Sequence, residues 1–157
     1  MKKDIVYSIT CLTFAIMIGG AVYEHLNVVP RWAASPPVSL AMFQGKYGLN
    51  PELFWMLTHP VNIILFLAIL VLYWKSPRRK NIAIVLISYV VILAITAVYF
   101  VPELLSIINT PLSTTADAEL TSRAKLWEIL SLIRLLVLLV LAIVLLLGLT
   151  KPSHSRQ

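Results

Sequence analysis

The chain is 157 residues long, 59% hydrophobic, and carries a net charge of +6, with a mean hydropathy of +0.88 that excludes an ordinary water-soluble domain. That length accommodates one integral membrane domain, residues 1–157, and leaves no room for a second. The basic excess does not indicate nucleic acid, because it gathers at the chain ends and in one short turn rather than on a face.

Four apolar stretches match the ~20 residues that a helix needs to cross ~30 Å of hydrocarbon. They lie at roughly 5–25, 52–74, 82–102 and 124–149, the last with an early start near Asp117. The predicted fold is all-α, a four-helix transmembrane bundle in the cell membrane. Lys2, Lys3, Lys75, Arg78, Arg79, Lys80, Lys151 and Arg156 fall in the termini or the 75–81 turn. The positive-inside rule therefore assigns both termini and that turn to the cytoplasm, where anionic lipid headgroups are sufficient partners. The lone cysteine, Cys11, excludes an intrachain disulfide and a metal-thiolate cluster.

The first helix begins with Lys2–Lys3, as a signal peptide would, but its long apolar run and the lack of a small-residue cleavage site favour a retained anchor. Gly19 and Gly20 would let a neighbouring backbone approach closely, and Pro30 is expected to stop the helix. The following segment, 26–50, is long for a turn. Ser35–Pro36–Pro37 followed by Leu40, Met42 and Phe43 predicts a short interfacial helix ending near Gly45. Trp32 and Tyr47 would lie at headgroup level; the segment could act as a lid or as an inert connector.

The second helix opens on Asn50 as cap, Pro51 in the first turn and Glu52 at the positive end of the dipole. It contains His59–Pro60, where a backbone hydrogen bond is lost and a kink is expected. The third helix is predicted to end at Val101–Pro102–Glu103, with turn-like residues over 104–116. The fourth continues into the nearly pure Leu/Val/Ile run 135–147.

The polar residues concentrate in one layer. Glu24, His25, Glu103 and Glu128 fall at the outer mouth of the bundle, and His59 and Arg134 about five residues deeper, ~7–8 Å by the helical rise; no comparable ionisable cluster is expected in the inner half. Trp55, His59 and Asn62 follow helical spacing from Glu52; Thr96, Tyr99 and Glu103 do so on the third helix, and Trp127, Ser131 and Arg134 on the fourth. Lipid cannot satisfy such stripes, so they should turn inward around a pocket facing the non-cytoplasmic side. Arg134 cannot lose its proton and requires a carboxylate, carbonyls or water, with Glu24, Glu103 and Glu128 as candidate counter-ions. It would be either a structural ion pair or a ligand anchor. His59 could be a general base, a metal ligand or a packing residue.

Glu24, His25, His59, Glu103 and Glu128 also form a nitrogen–oxygen donor set suited to a transition metal such as iron, zinc or copper, although E-x-x-H and H-E-x-x-H spacings are absent. The cofactor is either none or such a metal. The expected partners are the lipid bilayer and a lipophilic small molecule; a pore would require a homo-oligomer.

Small residues in the first helix before Val29–Pro30, Leu49–Asn50–Pro51, Val101–Pro102, and Trp127 followed by Arg134 give the chain a resemblance to the anthrone-oxygenase-like four-helix membrane family. The chain differs from that family's usual pattern in having Leu104 and Ser131 where asparagines are common. The resemblance implies cofactor-free oxidation of a polycyclic anthrone to a quinone by molecular oxygen. Trp127 would wall the pocket and Arg134 would stabilise a developing phenolate or enolate. The residues themselves add His59 as base, with Glu103 as a further catalytic candidate and Trp55, Asn62, Tyr99, Trp127 and Ser131 lining the substrate site. The reading that follows is a small membrane oxidoreductase for a lipophilic aromatic or quinone-like compound. Its alternatives are a metal-binding protein or metal-dependent enzyme, and a non-catalytic subunit with a structural ionic layer.

Overall fold

The computed structural model describes residues 2–152; Arg156, counted above with the basic terminus, lies outside them. The described residues are helical, with no strand among them. In chain order they form α1 (Lys2–Asn27), α2 (Val29–Trp32), a 3-10 helix (Val38–Phe43), α3 (Glu52–Leu72), α4 (Arg79–Ile95), a π-helical turn (Thr96–Phe100), α5 (Val101–Ile108) and α6 (Ala118–Leu149). Four continuous stretches are long and apolar enough to cross a membrane: Lys2–Trp32, Glu52–Leu72, Arg79–Ile108 and Ala118–Leu149.

Two predicted boundaries change. Pro30 does not end the first span; it occupies the opening turn of α2, where a missing N–H costs nothing. Pro102 does not end the third span either, which continues to Ile108. The backbone widens before it, and the Val101 N–H donates to the Thr96 carbonyl five residues back. That π turn gives α5 a fresh first turn, and Pro102 sits in it. The early start of α6 is as predicted: Asp117 Oδ1 accepts from the Leu120 N–H at 2.8 Å, a side-chain cap.

The described chain falls into two compact units, drawn from Met1–Gly19, Glu52–Val91 and Leu136–Gln157, and from Gly20–Pro51 and Ile92–Leu135. The interior of the first is aromatic. Phe14, Phe66 and Tyr89 meet edge to face at 5.1–5.7 Å, with Ile69, Ile82, Val85 and Leu145 buried in the same unit. The outward residues are also apolar, among them Ile5, Leu12 and Ile16 of α1 and Val140, Ile143 and Leu147 of α6. Polar groups go inward instead. Thr10, Asn62, Arg78 and Asn81 are buried, the arrangement that a hydrocarbon surrounding favours.

The close helix approach expected at Gly19 occurs elsewhere. Among the described residues nothing lies within 4 Å of a Cβ built on Gly19, whereas one on Gly148 would collide with the Tyr7 hydroxyl. Tyr7 donates that hydroxyl to the Leu145 carbonyl at 2.7 Å, so it is not free to swing away. Gly148→Ala is expected to lower stability by about 1–3 kcal/mol in thermal unfolding. The double variant Tyr7→Phe/Gly148→Ala should recover part of that loss, because the colliding atom is gone.

The first unit also holds an ionisable cluster that the sequence reading did not place there. Arg78 was assigned to lipid headgroups, yet its side chain is 9% exposed and pairs with Asp4 at 2.8 Å. Its Nε donates to the Lys151 carbonyl and its Nη2 to the Leu149 carbonyl, closing the C-terminal end of α6. Tyr73 donates to Asp4 at 3.0 Å. Burial, together with the negative Asp4 beside it, holds the Tyr73 phenol above its ordinary pKa. Beside this cluster Lys151 Nζ donates to Asn81, which donates to the Val144 carbonyl.

In the second unit, Val29, Trp32, Ala33 and Leu40 share one core with Phe100, Ile107, Leu120, Ala124 and Trp127. Within the 26–50 segment, Val28, Val29, Trp32, Ala33 and Leu40 are thus packed core residues. The short helix after Pro36–Pro37 is present as a 3-10 turn. Ser39 Oγ donates to the Trp32 carbonyl at 2.6 Å, and the Asp117 N–H to the Pro36 carbonyl at 2.9 Å.

Candidate functional site

Trp55, His59 and Asn62 keep the helical stripe that their spacing predicts on α3, all within the first unit. The indole of Trp55 lies over the imidazole of His59, centroids 5.4 Å apart and planes 22° from parallel. His59 Nδ1 is 2.7 Å from the Tyr89 hydroxyl. Asn62 is buried, accepting from the Thr13 hydroxyl at 3.2 Å and donating to the Thr58 carbonyl at 2.8 Å. Tyr89 is the partner that the sequence reading missed. Its signal was a lone phenol in the middle of an aliphatic span, where a hydroxyl needs a partner.

The remaining candidates belong to the second unit. Arg134 Nη1 donates to the Thr96 hydroxyl at 3.0 Å and Nη2 to the Ser131 hydroxyl at 2.8 Å. The guanidinium carbon lies 4.1 Å from the centroid of the Phe100 ring, a cation–π contact. Thr96 and Phe100 are the first and last residues of the π turn, so the widened backbone grips the guanidinium at both ends. Thr96 in turn donates to the Ile92 carbonyl at 2.7 Å, which fixes its lone pairs toward the arginine. Trp127 completes the group: its indole N–H donates to the Phe100 carbonyl at 2.9 Å, and its ring meets Phe100 edge-on at 5.8 Å. Tyr99 contacts the other side of Phe100 at 5.2 Å.

Two of the predicted counter-ions go elsewhere. Glu103 takes both oxygens to Arg123, at 2.8 and 3.0 Å, and Glu128 pairs with Lys125 at 2.9 Å. The cause for Glu103 is the π turn. Five residues wound loosely rotate the helix less than an α turn would, so Glu103 no longer shares a face with Thr96. Among the described residues no carboxylate makes an ion pair with Arg134. Glu24, the third candidate, lies in the same unit as Arg134. Two of the five guanidinium N–H groups are engaged.

His25 adds a buried ring nitrogen. Its Nδ1 donates to the Ala21 carbonyl at 2.9 Å, which leaves Nε2 as the other ring nitrogen. That Nε2 is buried and has no hydrogen-bond partner among the described residues. The metal layer is not assembled: among the described residues no three of His, Cys, Asp and Glu are grouped to hold an ion. Shallow hollows of about 480 Å³ along Asp4, Ile5, Ser8, Ile9 and Leu12, and of about 460 Å³ at the turn between α3 and α4, are lined without Arg134 or His59. The hollow predicted around Arg134 is not one of them.

Chemically, this arrangement presents a fixed positive charge with unused donors, in a surrounding of hydroxyls and aromatic rings. Such a group binds and stabilises an anion or a strongly polarised carbonyl oxygen. No protein-family model, curated protein or solved structure matches the chain.

Proposed function

We propose that the protein is a small membrane oxidoreductase of the oxygenase type, acting on a lipophilic aromatic or quinone-like molecule held at Arg134. The observation that supports this reading is the guanidinium itself, set in a membrane-spanning helix with hydroxyl and ring partners and no carboxylate in ion-pair range. A neutral ligand leaves that charge uncompensated. An enolate or phenolate forming on the ligand supplies the missing counter-charge, so the attraction grows as the reaction proceeds. The resemblance of Trp127 and Arg134 to the anthrone-oxygenase-like family points the same way.

In the proposed reaction a ring CH2 group, conjugated with a carbonyl through the flanking aryl rings as in an anthrone, gives one proton to the Glu24 carboxylate. The electron pair left on carbon delocalises onto the carbonyl oxygen beside Arg134. The carbanion passes its electrons to molecular oxygen and forms the C–O bond of a hydroperoxide, which takes a proton back. Loss of water then leaves a second carbonyl. One substrate and one O2 give one quinone-type product and one H2O. Glu24 is assigned as base, as a carboxylate in the same unit as Arg134. His59 Nδ1 is 2.7 Å from the Tyr89 hydroxyl.

The distribution of Lys2, Lys3, Lys75, Arg79, Lys80 and Lys151 supports cytoplasmic termini, with Arg134 in the opposite half of the bilayer and the 38–43 helix at its headgroup level. The half-buried guanidinium would be approached laterally, from hydrocarbon. The test is oxygen uptake by protein in lipid nanodiscs supplied with an anthrone. The expected result is one O2 consumed per substrate lost, with Glu24→Gln slower by about 10²–10⁴-fold. Uptake equal to that of empty nanodiscs would sink the reading. A stoichiometric transition metal on which activity depends would replace it with the metal-dependent one.

A further inference from the structure

Among the described residues, one buried side-chain nitrogen lacks a hydrogen-bond partner, and it is Nε2 of His25. Folded proteins leave few such atoms, because an unpaired polar group gives up its hydration and gains nothing in return. The other side of the ring is fixed, since Nδ1 donates to the Ala21 carbonyl at 2.9 Å, one turn back on α1. With that proton on Nδ1, the neutral ring carries its lone pair on Nε2. A proton acceptor is thus held in place and left unused among the described residues.

Helical spacing puts that nitrogen at the level of Arg134. Ala21, Val28 and Trp32 stand four residues before His25 and three and seven after it, and all three are buried. His25 therefore shares the inward stripe of its span. Trp32 meets Trp127 edge to face, ring centroids 5.4 Å apart. Successive spans cross in alternate directions, so the first and the fourth are antiparallel. His25 is seven residues back from Trp32, and Arg134 seven forward from Trp127. Each is two turns along its helix in the same direction, about 10 Å from the paired tryptophans. The Phe100 ring lies between these levels, against both Trp127 and the guanidinium.

We infer that His25 is a second catalytic base of this site, acting on the hydroperoxide. The inference rests on the oxygenase reading above and assigns a residue to its last step. The hydroperoxide still carries one hydrogen on the carbon that has gained oxygen. His25 Nε2 takes that proton, the C–H electron pair becomes the second bond of the new carbonyl, and the O–O bond breaks. The departing hydroxide takes the proton back from Nε2 and leaves as water. One electron pair oxidises the carbon and reduces the O–O bond, so no further oxidant enters and the ring ends as it began.

The test follows oxygen and product together in lipid nanodiscs supplied with an anthrone, for the full-length parent, His25→Asn and His25→Phe. Asparagine sets an amide N–H where Nδ1 stands and omits Nε2, so the bond to the Ala21 carbonyl can persist. Phenylalanine keeps the volume of the ring. Quinone formed per O2 consumed is expected to fall from about one in the parent to less than about a tenth in both variants. The anthrone hydroperoxide makes up the difference, read by mass spectrometry of the acid-quenched mixture. Quinone in step with oxygen in both variants would overturn the inference and leave the oxygenase reading intact. Loss of oxygen uptake in both would give His25 an earlier or purely structural role and overturn its assignment to this step. No uptake by the parent would sink the oxygenase reading, and this inference with it.

Discussion

Arg134→Met should reduce turnover by about 10²–10³-fold while shifting the stability of the protein by less than about 1 kcal/mol. These two outcomes rarely go together at a buried arginine. Where such a residue is one half of an ion pair, its removal strands the partner carboxylate and destabilises by ~3–5 kcal/mol. Here no carboxylate is stranded among the described residues. Thr96 keeps its bond to the Ile92 carbonyl, and methionine fills the space of the arginine stem. Desolvating the charge costs several kcal/mol. Two charge-assisted hydrogen bonds and the Phe100 contact recover a similar amount, so the net change is small. Arg134→Lys keeps the charge but cannot span Thr96 and Ser131 together, and should fall between the two in activity. Thermal unfolding in nanodiscs, run beside the oxygen assay, reads both quantities. A large loss of stability in Arg134→Met would make the residue a structural lock.

Arg78→Ala should behave in the opposite way, lowering stability by about 3 kcal/mol with little direct effect on the chemistry at Arg134. Its side chain donates to Asp4, Tyr73 and two carbonyls at the end of α6. Truncation leaves those acceptors without their donor, at ~1–3 kcal/mol for each that stays out of reach of water. Asp4 is 44% exposed and can be rehydrated, so the sum falls well short of four full penalties. Arg78→Lys reaches fewer of these acceptors than the planar fork and should restore less than half the loss. Thermal unfolding that places Arg78→Ala within a few tenths of a kcal/mol of the parent would show the cluster to be dispensable.

The spans were legible in the sequence because hydrocarbon thickness imposes a length and a composition, and both survive without any knowledge of packing. The α3 stripe and the Ser131–Arg134 pair were legible for a similar reason: each lies on one regular helix, where spacing fixes angle. The choice of ion-pair partner was not. Glu103, Glu128 and Glu24 were equivalent candidates for Arg134, and the angle that turns Glu103 away is set at the π turn. Nothing in Thr96–Phe100 announces that turn except the proline that follows it, and a proline is ordinarily read as an end. Phe100 and Tyr89 were passed over because aromatic residues in a span are usually packing. The inward course of Arg78 was hidden for a different reason. A cation in a basic turn is assigned to the membrane surface unless an acid such as Asp4 is known to come near it.

The shared core of Trp32, Leu40 and Trp127 bears on how the protein is made. Ribosomes deliver the chain from its amino end, so the first three spans emerge while the Trp127 face of that core is still unsynthesised. Until the final span is made, Trp32 at the end of the first span and Leu40 beyond it must have that face shielded by lipid or by the insertion machinery. Assembly of this half thus waits on the last segment translated, and a message cut short before Trp127 would yield a membrane-inserted but unfinished product for the quality-control proteases.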